Sequence, residues 1–198
     1  PTLVSFAVAA GKAGDVFGGF VTDTPSVIMY HAVFMIITIW VVFKGIGEGI
    51  EKWCKVLMPS LFVILIILIV RSVTLEGAGK GLEFYLSPDW SKLTGESFAA
   101  ALGQAFFSLS LGMGCMITYG SYVDKKTTLP DAAFQVCLID TAVAILAGLA
   151  IFPAVFAFGV DAGAGPGLTF VTLPSVFAQM PGGPIWSSLF FLLLFIAA

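Results

Sequence analysis

Residues 104–122, QAFFSLSLGMGCMITYGSY, place small and polar residues in the middle of an otherwise apolar run. The interruption consists of Ser108, Ser110, Gly112 and Gly114. A helix that breaks here frees backbone carbonyl groups, which are costly in lipid unless they are buried in protein or line a cavity. Broken helices of this kind bind substrates and coupling ions in secondary transporters. A kinked but continuous helix is the alternative, because glycine is frequent in membrane helices and serine can bond to its own helix.

Asp140 is an acid well inside an apolar run, about halfway between Pro130 and Pro153. An ionised carboxylate at that depth costs about 2.5 to 3.5 kcal/mol on insertion scales, so it needs a cation, a proton or a base. The preceding apolar run offers no basic residue at comparable depth. An alkali cation favours oxygen ligands, and Ser108 could supply a hydroxyl and a carbonyl oxygen to the same ion as Asp140. A protonated Asp140, or a partner elsewhere in the chain, remains the alternative.

Gly49 and Pro59 lie ten residues apart at the start of the second apolar run. A helix with this pair can lose its ordered hydrogen bonds between them, which would open a water path. A short loop followed by a proline in the first turns of a helix explains the pattern equally well. His31, in the first run, is interpreted as a neutral packed residue.

The composition excludes an ordinary soluble domain. Of the 198 residues, 59% are hydrophobic and 11% are charged, whereas a soluble domain carries roughly 25% charged residues. The mean hydropathy is +1.04. A net charge of −3 without a dense basic cluster excludes nucleic acid as a partner. Three cysteines without metal-ligand spacing give no sign of zinc or disulfides.

The predicted fold class is all-α, a polytopic membrane protein with a single transmembrane domain. A hydrocarbon core of about 30 Å takes about 20 residues of helix. The apolar runs predict spans at 26–44, 48–75, 97–122 (the broken one) and 128–153, and the start of another at 185–198. Loops are predicted at 1–25, which lacks sustained helical periodicity, and at 76–96. A third loop, 158–184, contains an apolar patch that indicates a re-entrant or capping helix.

Basic residues set the predicted orientation, since lysine and arginine are enriched in short cytoplasmic loops. Five lysines fall in the two short connectors, and the other four basic residues are scattered over longer segments. The five are Lys44, Lys52, Lys55, Lys125 and Lys126. The short connectors are therefore predicted to be cytoplasmic and the three loops extracellular, in a multi-pass protein of the plasma membrane.

Three motifs resemble the neurotransmitter:sodium symporters. GIGEGIEKWCKVLMPSLF, FFSLSLGMGCMITYGSY and FVTLPSVFAQMPGG are similar to that family's fifth helix, sixth helix and fourth extracellular loop, in the family's order. The likeness is strongest to the bacterial branch that carries hydrophobic amino acids. It implies an inverted-repeat symporter fold with a discontinuous helix, covered here from about helix four to helix eight. Because the chain starts at Pro1 without an initiator Met and stops inside an apolar run, we expect an internal fragment.

The resemblance implies a substrate site on the broken helix. Phe107 matches an aromatic lid, and its carbonyl, with those of Ser108 and Ser110, would receive the substrate ammonium group. Gly112 lies in the same site, and Met113 matches a side-chain pocket position where a flexible thioether suits substrates of varied size.

Two gates are implied by the same resemblance. Gln104 and Phe107 match the outer gate and Tyr122 matches part of the inner gate. Gly49 and Pro59 are predicted to take part in inner opening.

Two sodium sites are also implied, each only partly contained in the chain. Ser108 and Asp140 match ligands of the first sodium ion, and Ala197 matches a carbonyl ligand of the second. Asp140 stands where relatives usually have Asn, and Ala144 stands where chloride-independent bacterial members commonly have an acid. We therefore expect Asp140 to supply that negative charge, which predicts chloride-independent transport.

The predicted function is sodium-coupled symport of hydrophobic and aromatic L-amino acids, such as Trp and Leu, by alternating access. The bilayer and the remainder of the chain are the expected partners. A proton-coupled carrier of the same architecture, with Asp140 as the proton site, is the alternative. An enzyme is not expected, because the sequence has no HExxH, no GxSxG and no second intramembrane acid. A channel is also disfavoured, because its selectivity filter is a ring of repeated ligands around an axis, whereas the site predicted here is a closed pocket beside one helix break.

Overall fold

A computed structural model of the chain describes residues 13–159 and 167–197, and over these ranges the structure is helical without strands. The all-α fold class is thereby confirmed. The helices are α1 (Ala13–Thr22), α2 (Thr24–Phe43), α3 (Lys52–Val73), α4 (Ala78–Leu86), α5 (Gly95–Ser108), α6 (Cys115–Tyr122), α7 (Leu129–Ala157), α8 (Leu173–Gln179) and α9 (Gly183–Ala197). π-helical turns at Ile46–Glu51 and Leu168–Thr172 lead into α3 and α8, and a 3-10 turn covers Trp90–Lys92.

Within residues 13–159 and 167–197, three helical segments are long and apolar enough to cross a membrane. They are Thr24–Phe43 with 20 residues, Ile46–Val73 with 28 and Leu129–Ala157 with 29, with hydropathies of 2.2, 2.6 and 2.2. Each reaches the roughly 20 residues that a hydrocarbon core demands. A proline lies in the first turn of both α2 and α7. Proline has no backbone N–H group, and its absence costs no hydrogen bond there, because the N–H groups of a first turn have no acceptor within the helix.

Two segments predicted as loops contain helices. The segment 1–25 was expected to lack helical structure, yet Ala13–Thr22 is a helix, and the ring of Phe17 stacks on Phe170 at 5.2 Å. Residues 1–12 lie outside the described ranges. In the segment 76–96, Ala78–Leu86 forms α4. Both helices are too short for the periodicity of one face to stand out in the sequence, and contacts with distant elements stabilise them.

Close backbone approach holds α4 against α7. A Cβ atom on Gly81 would lie 2.6 Å from the carbonyl oxygen of Phe152, and one on Gly148 would lie 2.2 Å from Cζ of Tyr85. The Tyr85 ring stacks on Phe152 at 5.0 Å, and its hydroxyl donates to the carbonyl of Ile145 at 3.2 Å. The two glycines therefore set the distance between these helices.

A packed cluster forms where α3, α7, α8 and α9 meet. Its buried members are Ile64, Leu68, Ala154, Val155, Leu173, Val176, Phe177, Met180 and Phe190. Val155 and Val176 are 0% exposed. The apolar patch in the segment 158–184 thus forms α8, which packs across the ends of longer helices.

A tight turn joins α2 to α3. Gly45 reverses the chain with φ of 80°, a conformation that favours glycine. Gly49 is buried so closely that an added Cβ would lie 2.2 Å from the carbonyl oxygen of Val41. Pro59 lies inside a continuous α3. The chain between Gly49 and Pro59 is therefore helical throughout, with a π-helical turn followed by α3.

Candidate functional site

The broken helix is present as a gap between two short helices. Helix α5 ends at Ser108 and α6 begins at Cys115. Between them Ser110, Gly112 and Gly114 have φ angles of 54°, 79° and 81°. Two of these left-handed positions carry glycine, which accepts the conformation without a steric cost. The structure therefore contains the break rather than the kink.

Local hydrogen bonds start and end α5. Thr94 and Ser97 form a reciprocal cap at its first turn, each side chain accepting from the other's backbone N–H at 3.3 Å. At its end the N–H of Leu109 donates to the carbonyl of Ala105 at 3.0 Å, and the N–H of Leu111 donates to that of Phe106 at 2.9 Å. The second bond spans five residues, as in a helix that closes with a left-handed residue.

This ending leaves acceptors facing the gap. The carbonyl of Phe107 accepts from the N–H of Ser110 at 3.1 Å and retains a second lone pair. Within the described ranges, no backbone N–H bonds to the carbonyl oxygen of Ser108 or Ser110. The three carbonyls that the family resemblance assigns to a substrate ammonium group are thus able to accept a hydrogen bond.

Ser108 and Asp140 are in direct contact. The Ser108 hydroxyl oxygen lies 2.8 Å from Oδ1 and 2.7 Å from Oδ2 of Asp140. This contact joins the end of α5 to the middle of α7, across 32 residues of sequence. It brings a hydroxyl and a carboxylate together beside free carbonyls, an oxygen-only donor set suited to a hard cation.

The side chains around the break are open. Phe107 is 71% exposed, Met113 56% and Tyr122 52%. None of the residues of α5 or α6 is buried. Gln104 precedes Ser108 by one helical turn and shares its face of α5. Gln104, Phe107 and Met113, which are predicted for the outer gate and the substrate pocket, therefore lie at the break or within one turn of it, with exposed side chains.

The remaining predicted site residues lie elsewhere. Gly49 and Pro59 lie in the α2–α3 hairpin. Ala197 is exposed in the last turn of α9. Among the described residues, no group of three or more His, Cys, Asp or Glu side chains could hold a metal ion. At the break, the described oxygen atoms that could ligate a cation are the Asp140 carboxylate, the Ser108 hydroxyl and the carbonyl oxygens of the gap.

An apolar cavity beside the break was not predicted. It has a volume of about 560 Å³ and opens between α6 and α7. Its lining includes Leu109, Met116, Tyr119, Ala133 and Cys137. No local pattern in the sequence indicates this cavity, because its space depends on how α6 and α7 pack against each other.

Comparison with known proteins gives one consistent result. The profile of the Sodium:neurotransmitter symporter family matches residues 21–198. An uncharacterized sodium-dependent transporter of Haemophilus influenzae is 46% identical over 172 residues, which cover 87% of this chain and 38% of that protein. The uncharacterized sodium-dependent transporter YhdH of Bacillus subtilis is 43% identical over 179 residues, covering 90% and 40%.

A solved structure shows the same fold. The crystal structure of MhsT in complex with L-phenylalanine superimposes with a TM-score of 0.84 at 50% sequence identity, over 97% of this chain and 44% of that one. The sodium- and chloride-dependent creatine transporter 1 of Bos taurus is 30% identical over 185 residues. The chain spans about 40% of the length of the bacterial relatives that it matches.

Proposed function

The chain belongs to the sodium:neurotransmitter symporter family, whose members are transporters and not enzymes, and we propose that it forms part of a symporter that couples sodium to the uptake of hydrophobic and aromatic L-amino acids. The contact between Ser108 and Asp140 beside the helix break is the observation that carries this proposal. It places a carboxylate at a gap with free carbonyl oxygens, which is where the ion and the amino group of a substrate can share ligands.

Sodium binds at this gap in our proposal. The Ser108 hydroxyl has one hydrogen and two lone pairs, so it can donate to Asp140 and still direct a lone pair at the ion. Asp140 provides the negative charge that offsets the cost of a cation in a low-dielectric site. Ala197 provides a carbonyl oxygen to a second ion.

The substrate amino group binds the carbonyls of Phe107, Ser108 and Ser110, and the backbone at Gly112 leaves space for it. An unbranched thioether at Met113 adapts to side chains of different shape. The related MhsT structure contains L-phenylalanine, which supports an aromatic substrate. Trp and Leu are the probes that we would use.

Alternating access follows from the placement of the gates. The ring of Phe107, next to Gln104 on the outer side, closes over the substrate. Opening on the cytoplasmic side involves Tyr122 and the hairpin that contains Gly49 and Pro59. The protein is a multi-pass component of the plasma membrane in this proposal, with the remainder of the chain completing the site.

Chloride independence is the finer part of the proposal. A fixed carboxylate at Asp140 supplies the negative charge that a chloride ion would otherwise bring to the sodium site. Replacing it with Asn removes that charge and keeps the shape. Sodium affinity of Asp140→Asn should therefore fall in gluconate buffer and recover when chloride is added.

A proton-coupled carrier is the second candidate. The Ser108 hydroxyl lies within hydrogen-bond distance of both Asp140 carboxyl oxygens, and a hydroxyl oxygen can accept a hydrogen bond from a protonated carboxyl group as well as donate to an ionised one. In that case substrate binding would follow pH and not sodium.

The test is binding of radiolabelled Trp and Leu to the full-length protein while sodium is titrated against choline. Saturable binding that needs sodium and is lost in Asp140→Ala supports the proposal. Asp131→Ala is the matched control, because Asp131 lies on the same helix and also accepts from a hydroxyl, that of Thr128, but lies away from the break. Substrate binding that is independent of sodium and changes steeply with pH would instead support the proton-coupled carrier.

A further inference from the structure

The turn between α2 and α3 brings two tryptophans and a lysine together. The Lys44 ammonium lies 3.9 Å from the centre of the Trp40 ring. The Trp40 and Trp53 rings lie 6.1 Å apart, so the two helices contact each other through these side chains. Lys52 directly precedes Trp53. We refer to Trp40, Lys44, Lys52 and Trp53 as the inner-turn cluster.

The charges near the inner-turn cluster that are not part of an ion pair sum to a positive value. Lys55 pairs with Glu51 at 2.6 Å, so these two charges cancel. Over the described ranges, Lys44 and Lys52 form no ion pair. Glu48 is the remaining acid of the turn, which gives two free lysines against one glutamate. An anion close to both lysines would therefore meet net attraction.

Helix length places this cluster at a membrane interface. The 20 residues of α2 extend about 30 Å, the thickness of the hydrocarbon core. Lys44 follows the last residue of that helix, and Trp40 lies one turn, about 6 Å, deeper. Trp40 is 49% exposed and Trp53 39%. Tryptophan at headgroup depth next to lysine is the pattern that anchors membrane proteins at the interface.

The backbone fixes the cluster before any ligand arrives. Gly49 packs against the carbonyl of Val41, and its missing Cβ would lie 3.2 Å from Cβ of Lys44. The stem of Lys44 is thus held between the turn and the Trp40 ring, which limits the rotamers that a bound anion would otherwise have to order.

We propose that the inner-turn cluster binds the phosphate of an anionic phospholipid. Lys44 and Lys52 donate to the phosphate oxygens, and the rings of Trp40 and Trp53 lie at the level of the glycerol. A lysine near an anionic membrane surface is worth about a fivefold gain in binding. Removing both lysines should therefore lower the preference for an anionic over a zwitterionic lipid about 25-fold.

A consequence for gating rests on the proposed function. The lipid would contact residues on both sides of the π-helical turn Ile46–Glu51, which contains Gly49. Inner opening by way of that turn would separate these residues, so the bound lipid favours the inner-closed state. Lipid binding itself does not depend on sodium coupling and can be measured without it.

The experiment uses the full-length protein in nanodiscs that contain brominated phosphatidylglycerol or brominated phosphatidylcholine. Bromine quenches the fluorescence of nearby tryptophans. The part of the quenching that disappears in Trp40→Phe/Trp53→Phe measures lipid bound at the inner-turn cluster. The test variant is Lys44→Gln/Lys52→Gln. The matched control is Lys125→Gln/Lys126→Gln, which removes the same charge from the other short connector. Lys44→Arg/Lys52→Arg keeps the charge.

We expect the preference for phosphatidylglycerol to fall about 25-fold in Lys44→Gln/Lys52→Gln, by less than twofold in the control, and to persist in the arginine variant. Equal losses in the test and control variants would reduce the effect to general surface charge and overturn the proposal. So would displacement by millimolar glycerol phosphate, which would identify a soluble anion as the ligand. If Lys44→Gln/Lys52→Gln lowers thermal stability in both lipids, the two lysines form ion pairs with acidic side chains of the protein itself. That result would also overturn the proposal. Sodium-dependent substrate binding, measured in parallel, separates these outcomes from a failure of the proposed function.

Discussion

The packed cluster and the broken segment, residues 95–122, are built in different ways. In the packed cluster, side chains from four helices cover one another, and Val155 and Val176 are fully buried. In the broken segment, no residue of α5 or α6 is buried. Its shape comes from a reciprocal cap, left-handed glycines and the contact of Ser108 with Asp140.

Because of this difference, we expect the packed cluster to determine the stability of the fold and the broken segment to determine ligand affinity. Apolar burial of about 25 cal/mol per Å² stabilises the packed cluster, so its substitutions should change the free energy of unfolding. The broken segment presents carbonyls and one carboxylate contact, so its substitutions should change ligand affinity instead. Regions with few buried apolar contacts are also those that open at low free-energy cost.

Gly81→Ala should destabilise the protein by about 3 kcal/mol, the upper range for overpacking, because the new Cβ would meet the backbone of Phe152 and Pro153 at 2.6 and 2.7 Å. Thermal unfolding of the full-length protein measures the change. Gly79→Ala is the control in the same helix, since nothing lies within 4 Å of its Cβ position. It should be neutral or raise stability by up to about 1 kcal/mol. Equal losses in both variants would show that α4 does not pack on α7 as described.

Asp140→Ala should weaken sodium binding about 100-fold, or about 2.7 kcal/mol, and leave the sodium-free unfolding temperature within error. The reason is that Asp140 contacts the Ser108 hydroxyl at the helix break and is not a member of the packed cluster. Isothermal titration with sodium and a thermal scan without it provide the two readouts. A loss of stability as large as that of Gly81→Ala would remove the distinction between the two regions.

Ser72→Ala should raise stability by about 1 kcal/mol, because its hydroxyl is buried without a hydrogen-bond partner. Ser187→Ala should do the same, since Ser187 is also buried and unpartnered. Ser175→Ala is the control and should lower stability by a similar amount, as its hydroxyl donates to the carbonyl of Val171 at 2.8 Å. Ser72 also lines a cavity of about 20 Å³. Destabilisation by Ser72→Ala alone would show that a water fills that cavity.

The smallest effect concerns the exposed turn at Asp89. Hydrogen bonds from the Ser91 side chain, and then from Lys92, lower the pKa of Asp89. The turn is therefore stabilised above the usual pKa of aspartate, and this stabilisation is lost as the pH falls through the lowered value. Amide exchange at Ser91, whose N–H donates to Asp89 Oδ1 at 3.1 Å, should accelerate in Asp89→Ala at neutral pH. Exchange unchanged by the substitution would contradict this.

Much of the architecture could be predicted because a membrane imposes simple rules. Apolar runs of about 20 residues form helices there, since backbone groups must bond within their own segment. Serines and glycines at 108–114 marked the place where that rule is broken. The helices Ala13–Thr22 and Ala78–Leu86 were missed because they lie in segments with many glycines and owe their stability to distant partners such as Phe170 and Phe152.

The candidate site was predictable in part. Asp140 and Ser108 drew attention because a carboxylate and a hydroxyl are unusual at that depth, and the structure brings them into contact. Their roles toward sodium, and those of Phe107, Met113 and Ala197 toward their ligands, stay predictions. The apolar cavity between α6 and α7 escaped notice, because its space depends on how two helices pack and not on any one residue.

Local patterns in the sequence suffice to predict the helical membrane class, the position of the break and the side chains available for ion binding. These follow from local chemistry: the length of apolar runs, the freedom of glycine and the cost of a buried carboxylate. The folded chain alone shows a break rather than a kink at 108–114, and an ordered helix between Gly49 and Pro59. It also decided that α4 and α8 pack on long helices through Gly81, Gly148 and Leu173. Those outcomes depend on contacts between residues far apart in the chain, which no local pattern contains.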